Sequence, residues 1–573
     1  MPRFARLRLL SVRLLLCAAA LAPGLAAQTP PSPATLATEV VSAARLPQPR
    51  EHIASATRTF DRADLAASPA ATLDGALRAL PAFSLFRRSD SFSANPTAQG
   101  VSLRGLGPSG ASRSLVLLDG VPLNDPFGGW VAWSKLPRES LARIELVPGG
   151  GATAWGNAAL GGVVHLLSAA PDTTSGSATV TAGEAGTRSA EFAATLAGGP
   201  ARLDLGARAF GTDGYALVAP QRRGPVDVPA WSRHRSAHAR WRQPLAPDLH
   251  LALAVRTAEE KRGNGTPYQR NASRENFASL ALAGQPAPAF AWTAVAYGQD
   301  QRFASTFSGV NAARTAETPA SDQFAVPAVA LGAAWTGSWR HADRTVTSLG
   351  ADTRRVRGET REHFTYSNGN FTRLRIAGGT QSAAGLFALH ERPLAADLRA
   401  TAGLRLDRWS DTAGHRRESD RATGVASRDE RYPALADTEL CPSAGLVWTP
   451  TPAWRLRAHA QNSFRRPTLN ELHRPFRVGA NVTEANAALR TEHARSAELG
   501  AEWTLLSRSD SPHSSLVTHH SSLPGTGSRS SSRTTPPRPP RSRTPVSAPR
   551  RRPPRRTFAA KTPPAPAPRR PRA

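Results

Sequence analysis

A chain of 573 residues, 40% hydrophobic and 20% charged, has material for several ordinary domains or one very large one. No apolar run reaches the ~18 residues of a membrane-crossing helix, which argues against a helical membrane protein but not a β-barrel, whose strands are apolar only at alternate positions. Two cysteines, Cys17 and Cys441, make neither a disulfide framework nor a zinc site, and no resident metal or cofactor is expected. The net charge of +29 would suit nucleic acid or an anionic surface, but about half of it lies after Ser507, where about fifteen Lys/Arg accompany a single acid.

The first 27 residues carry Arg3, Arg6, Arg8 and Arg13, an apolar run from Leu14 to Leu21, and Pro23-Gly24 before small residues. This is the pattern of a signal peptide (1–27) cleaved near Ala26 or Ala27. Residues 28–44 form a Pro/Ser/Thr-rich leader ending in a short β-prone segment, Thr38-Glu39-Val40-Val41-Ser42-Ala43. A segment of that kind suits strand addition to a partner's sheet edge.

Between residues 45 and 170 the text suggests a small α/β domain. Ser68-Pro69 separates two short helical patterns, and Thr72 is placed to start the second, with a strand expected after Pro81. Val101–Gly105 and Ser114–Leu118 read as strands, and Asp119-Gly120 and Gly107–Gly110 as turns. The glycines pose a choice between a phosphate cradle and a compact sheet with tight turns. No Gly-x-x-x-x-Gly-Lys-Ser/Thr or dinucleotide fingerprint is present, so the turn reading is preferred.

Four motifs stand here in order. They are Gln99-Gly100-Val-Ser-Leu-Arg104-Gly105, Leu118-Asp119-Gly120-Val-Pro-Leu-Asn-Asp125, Arg143-Ile-Glu145 and Trp155-Gly156-Asn-Ala-Ala-Leu-Gly161-Gly162. The series closely resembles the plug domain of TonB-dependent outer-membrane receptors. The resemblance implies that Thr38–Ala43 is a TonB box, engaged by TonB and its inner-membrane energising complex. It also implies an outer-membrane location in a Gram-negative type bacterium and a small-molecule or metal-chelate ligand of siderophore-iron or cobalamin type. Arg104, Arg143 and Glu145 are expected to pair the plug with its barrel, with plain solvated strand charges as the competing reading.

After Pro171 the texture changes to period two. Residues 201–209, 398–406, 454–461 and 496–503 alternate apolar and polar side chains over the ~10 residues that cross a bilayer at a tilt. The expected fold is therefore mainly β: a small α/β plug inside a large antiparallel transmembrane β-barrel in contact with lipid. Trp409, Trp448 and Trp454 are expected in interfacial girdles, WTPTPAW (448–454) as a periplasmic turn, and the polar stretches 212–235, 257–275, 299–323, 356–383, 408–440 and 465–493 as extracellular loops. Phe127, Trp130, Arg465, Arg466 and Arg474 are the residues expected to face ligand, the arginines suiting an anionic chelate. The stretch from Phe464 to Glu492 resembles the late barrel of the same family.

A plugged barrel of this family has ~22 strands. Residues 178–506 offer about 14–16 strand candidates, so the barrel is expected to be incomplete and to insert poorly. The tail 507–573 is a Pro/Arg/Ser-rich low-complexity segment that cannot extend a ladder. A nucleic-acid arm, a Pro-rich surface linker and a reading-frame change near Ser507 or inserted sequence compete for it; the last is favoured, and translating the other frames tests it. No Gly-x-Ser-x-Gly, His-Glu-x-x-His or Cys/His cluster supports an enzyme. The competing functions are a passive or adhesive barrel, or a truncated receptor without function.

Overall fold

The computed structural model describes residues 40–41, 45 and 48–504, apart from 88, 90, 107–109 and 479–480. The signal peptide, most of the leader and the basic tail lie outside the described residues. So do Thr38, Glu39, Ser42 and Ala43, and the Gly107–Gly110 turn except for Gly110.

The chain enters through β1 (Val40–Val41), which pairs antiparallel with β2 (Gln48–Pro49). The plug follows. It contains β3 (Arg58–Asp61), β4 (Phe83–Leu85), β5 (Val101–Leu103), β6 (Leu115–Leu118), β7 (Val121–Pro122), β8 (Leu141–Pro148) and β9 (Gly162–Ser168). Its main sheet has the order β3-β8-β9-β6-β7, with β6 and β9 parallel. Two short helices sit where the caps predict. Asp61 and Asp64 form a capping box at the head of Arg62–Ala67, and the Thr72 hydroxyl accepts from Gly75 N at 3.2 Å to start Leu73–Leu77. Leu65, Leu73 and Leu77 from these helices pack on Leu103, Val116, Ile144 and Val164 of the strands, so the plug has its own apolar core.

Around it runs one antiparallel sheet of 16 strands. Its first half is β10 (Ser175–Gly183), β11 (Thr187–Gly198), β12 (Ala201–Tyr215), β13 (Ala230–Ala246), β14 (Leu249–Gly263), β15 (Arg270–Ala287), β16 (Phe290–Val310) and β17 (Glu317–Arg340). It continues through β18 (Val346–Ser367), β19 (Asn370–Pro393), β20 (Leu398–Asp420), β21 (Ala426–Arg431), β22 (Leu435–Leu440), β23 (Ser443–Thr451) and β24 (Trp454–Arg465). A small hairpin of β25 (Phe476–Val478) and β26 (Asn481–Thr483) precedes the last wall strand, β27 (Glu492–Trp503). β21 and β22 both pair with β20, and the remaining wall strands follow chain order from β10 to β27. The terminal strands β10 and β27 do not pair with each other, so the sheet is open, as the strand count led one to expect.

Period two sorts the wall's side chains. On β12 Asp204 and Arg208 are buried, and on β20 Arg405, Asp407 and Asp411 are buried while Leu404 and Leu406 point outward. The polar face turns to the plug and the apolar face away from it. This parity corrects one expectation. Trp409 shares the phase of Arg405, so it faces inward and donates its indole N–H to Glu439 at 3.3 Å, while Trp448 and Trp454 do lie on the outside.

The expected long loops are corrected as well. In 299–323 the strands run to Val310 and resume at Glu317, and in 356–383 only Asn368-Gly369 interrupts the ladder. Beyond an apolar band both faces of a strand are wet and alternation fades, but neighbouring backbones still satisfy one another, so pairing continues where the sequence reads as loop. The opposite ends of the strands close in short connections at 199–200, 247–248, 288–289 and 452–453.

Candidate functional site

Among the polar contacts between plug and wall, which include Ser232 to the Phe92 carbonyl and Arg262 to the Ser91 carbonyl, three seams stand out, each built from lumen-facing positions on neighbouring strands. In the first, Arg405 on β20 uses all five guanidinium N–H donors. It reaches Asp407 at 2.7 Å twice, Asp352 of β18 at 2.8 and 2.9 Å, and the Ala154 carbonyl of the plug at 3.2 Å. Arg45 adds a second cation to Asp352 at 2.7 Å and lies 4.3 Å from the Trp155 ring centroid. The glycine of the Trp155-Gly156 motif explains itself here. With φ +66°, a Cβ on Gly156 would sit 2.5 Å from Arg405 Nε.

The second seam is carried by β24 and β27. Arg104, at φ 55°, pairs with Glu498, which also accepts from Ala56 N at 2.6 Å and Arg457 at 2.7 Å. Gly149 makes room for it, since a Cβ there would meet Arg104 Nη1 at 2.9 Å. Arg113 pairs with Glu492 at 2.8 Å, and Arg455 donates to the carbonyls of Arg50, Glu51 and Ile53. The third seam joins the plug apex to β14, β15 and β16 through Ser134–Glu260, Lys135–Glu275 and Gln301–Asp125.

The remaining motif residues mainly hold the plug to itself, although Asp119 also lies 3.5 Å from Arg240 of β13. Asp119 and Gly120, both at positive φ, make the β6–β7 turn, and the Asp119 carboxylate accepts from Ser168 N at 2.9 Å and Oγ at 2.6 Å. Gln99 donates to the Ala94 carbonyl at 3.0 Å, and the Gly100 carbonyl accepts from Phe86 N at 3.0 Å. Gly161 N donates to Arg113 O at 2.6 Å, and its carbonyl accepts from Gly149 N at 2.8 Å. Arg143 pairs with Glu145 at 2.8 Å inside the plug sheet, with His165 3.8 Å from the same carboxyl. Of the three residues expected to bridge plug and barrel, Arg104 does so, while Arg143 and Glu145 pair with each other.

The residues expected to face ligand are placed otherwise. Phe127 and Trp130 are buried with Phe303, Val326 and Leu469 where the plug apex touches the wall. Arg465 is clamped by Glu471 and Glu492, and Arg466 by Asp411 beneath Trp409 at 4.2 Å. Arg474 bonds Glu362 at 2.8 Å. An arginine whose donors are spent on carboxylates has little left for an anion, so these groups organise the site and do not form its surface. The residues that sequence reasoning missed are the wall partners Asp352, Arg405, Asp407, Glu260, Glu275 and Glu498. The alternation at 398–406 and 496–503 covered Arg405 and Glu498, whereas Glu260 and Glu275 fell in a stretch expected to be loop, and none of the plug contacts was readable.

Asp125 is the one plug acid in these seams whose titration is strongly displaced. Burial pushes its carboxyl up to about 6, with Glu275 adding to the rise, against the pull of Lys135 and the amides of Gly128 and Phe127. An acid raised in the folded state favours folding while protonated. That contribution is complete below its ordinary value near 4 and is lost as pH rises through 6, on the order of 3 kcal/mol in all. Asp125→Asn should therefore gain on the parent chain between pH 4 and pH 7 in thermal unfolding in detergent; parallel curves would refute the assignment.

A cavity of about 350 Å³ lies between the plug and the wall, with Leu136, Ser168, Asp204, His238, Arg256 and Phe277 among its lining. The geometry as a whole is that of a mixed α/β plug held in a β-wall by ion pairs, with one small apolar patch at the apex. Among the described residues no three His, Cys, Asp or Glu converge as metal ligands.

These features define a small α/β plug set against a large, open, antiparallel β-wall. The chain belongs to the TonB-dependent receptor family: residues 49–163 match the TonB-dependent receptor plug domain, and residues 220–510 match the TonB-dependent receptor-like β-barrel. Over 188 residues it is 27% identical to the vitamin B12 transporter BtuB of Vibrio vulnificus, a stretch covering 32% of this chain and 29% of that protein. The chain thus spans under a third of the length of that curated relative. Among solved structures, the ferric yersiniabactin uptake receptor FyuA of Yersinia pestis superposes with TM-score 0.63 at 12% identity, over 79% of this chain and 70% of that one. The unliganded ferric citrate transporter FecA does so with TM-score 0.59 at 16% identity, over 79% and 68%. These likenesses establish the fold, and the named relatives are transporters and receptors.

Proposed function

We propose that this chain is an outer-membrane receptor that captures a scarce ligand of siderophore-iron or cobalamin type and passes it inward at the expense of TonB-coupled work. TonB, with its inner-membrane complex, would engage the segment Thr38–Ala43. The observation that carries the reading is the plug's attachment. Its own core is closed, and beside one apolar patch its seams with the wall are ion pairs and hydrogen bonds, which water can replace when the plug is pulled. A permanently apolar interface would resist such rearrangement. The cavity beside the plug supports the same reading, since part of the space needed for passage is already open.

Coupling between ligand at the long-connection end and TonB at the other end makes a sharp expectation. Deleting Thr38–Ala43 should leave ligand binding to whole cells unchanged and abolish uptake. Uptake unaffected by the deletion would instead establish a passive pore. Growth under iron limitation against growth under cobalamin limitation distinguishes the two ligand classes.

A further inference from the structure

The outward face of β13 to β18 carries an apolar field in which Trp241, Leu253, Val255, Leu280, Leu331 and Trp335 are each 38–56% exposed. Toward the end with the long connections this field stops abruptly at a belt of charge. From Leu249 to Glu259 on β14, ten residues at ~3.3 Å rise and ~40° tilt span roughly 25 Å, the height of a bilayer's apolar band on a barrel. The belt therefore falls at headgroup level.

Its composition is unusual for a sheet surface. Arg233 stands directly opposite Lys261, and Arg274 directly opposite Arg302, all four exposed. Like charges at opposed positions of an antiparallel pair repel and destabilise it. Three of the carboxylates within reach are exposed at the side chain: Asp213 lies 3.2 Å from Arg233, Glu259 3.5 Å from Arg274 and Asp300 3.9 Å from Arg302, while Glu359, 2.6 Å from Arg361, is half-buried. Exposed pairs of this kind contribute little, and Arg235, opposite Glu259, continues the belt on β13. Between the cations the small side chains of Ala272, Ala304 and Ala325 leave a groove of about 560 Å³ on the outside of the wall. Lys261, Arg274, Arg302 and Arg361 line it together with the acidic residues Glu259, Glu260 and Asp300, and Phe324 stands at its side.

We propose that this groove binds the headgroup of a surrounding lipid that carries phosphate monoesters, a phosphorylated glycolipid, with its acyl chains lying on the apolar field below. Phosphate oxygens bridging Arg274 and Arg302 would turn the like-charge repulsion into charge-assisted hydrogen bonding. The small alanines allow a sugar ring to approach the wall, and Phe324 gives it an apolar side to rest on. The inference requires the wall to sit in a bilayer with its long connections outward, but not that the plug transports anything, so it stands apart from the deletion experiment above.

The test uses the full chain purified in a neutral detergent, titrated with bisphosphorylated lipid A and followed by native mass spectrometry and by fluorescence of a labelled analogue. Binding should be at least about tenfold tighter than for phosphatidylglycerol or phosphatidylcholine, and should weaken between 0.05 and 0.5 M salt. The double variant Arg274→Gln with Arg302→Gln should lose about tenfold or more, while Arg274→Lys with Arg302→Lys should stay within about threefold. Arg408→Gln, exposed on β20 away from the groove, should bind as the parent does. The heat-induced mobility shift on gels should be the same for all variants, which separates lost binding from lost folding. Undiminished binding by the glutamine pair, equal affinity for phosphatidylcholine, or displacement by millimolar inorganic phosphate would each overturn the proposal.

Discussion

Replacing Arg405 by alanine is expected to release the plug from β18–β20 and to destabilise the folded chain by about 3–5 kcal/mol, the cost of breaking one side of a buried ion cluster. Arg405 and Asp407 are each at most 2% exposed at the side chain, and Asp352 is 20% exposed. Removing the guanidinium therefore leaves two carboxylates a few ångströms apart with Arg45 as their remaining nearby cation, and leaves the Ala154 carbonyl without its donor. Arg405→Lys keeps a charge but supplies three donors in place of five, so it should lose a smaller amount. Thermal unfolding in detergent measures the loss, and limited proteolysis locates it: cleavage within the plug should rise in the alanine variant. A midpoint unchanged in both variants would show that the cluster holds nothing together.

Gly162→Ala should be the most damaging single change within the plug. Gly162 begins β9 at φ +122°, a backbone conformation open to glycine and strained for other residues. A Cβ there would lie 2.8 Å from Gly149 N and closer still to the Val147 carbonyl oxygen, both backbone atoms of the neighbouring turn and strand. Backbone cannot rotate out of the way as a side chain can, so the β8–β9 ladder must separate at its end, with an expected loss of about 3–5 kcal/mol. Gly105→Ala is the matched control. Its φ is +66° but nothing lies within 4 Å of its Cβ position, so only the left-handed penalty of about 1–2 kcal/mol applies. If both variants unfold at the same temperature, steric contact at Gly162 is not what demands the glycine.

Much of this architecture was legible in the chain itself. Alternation at 201–209 and 398–406 marked which side chains would turn inward, because a strand places successive residues on opposite faces whatever surrounds it. The Asp119-Gly120 turn and the Thr72 cap were readable for the same local reason: their hydrogen bonds close within a few residues. The ordered motifs from Gln99 to Gly162 carried the family.

Tertiary structure decided what those residues touch. Arg104 and Arg143 look equivalent as charges on plug strands, yet Glu498, 394 positions away from Arg104, takes one, while Glu145 takes the other within the same strand. Arg465, Arg466 and Arg474 read as free loop cations, yet Glu471 and Glu492 hold Arg465 from within the same stretch, and Asp411 and Glu362 reach Arg466 and Arg474 from 55 and 112 positions away. Trp409 read as an interfacial aromatic until the strand's phase put it inside. Local periodicity fixes direction along a strand, but partner choice depends on which distant strands the sheet brings alongside, and that is a property of the assembled ladder.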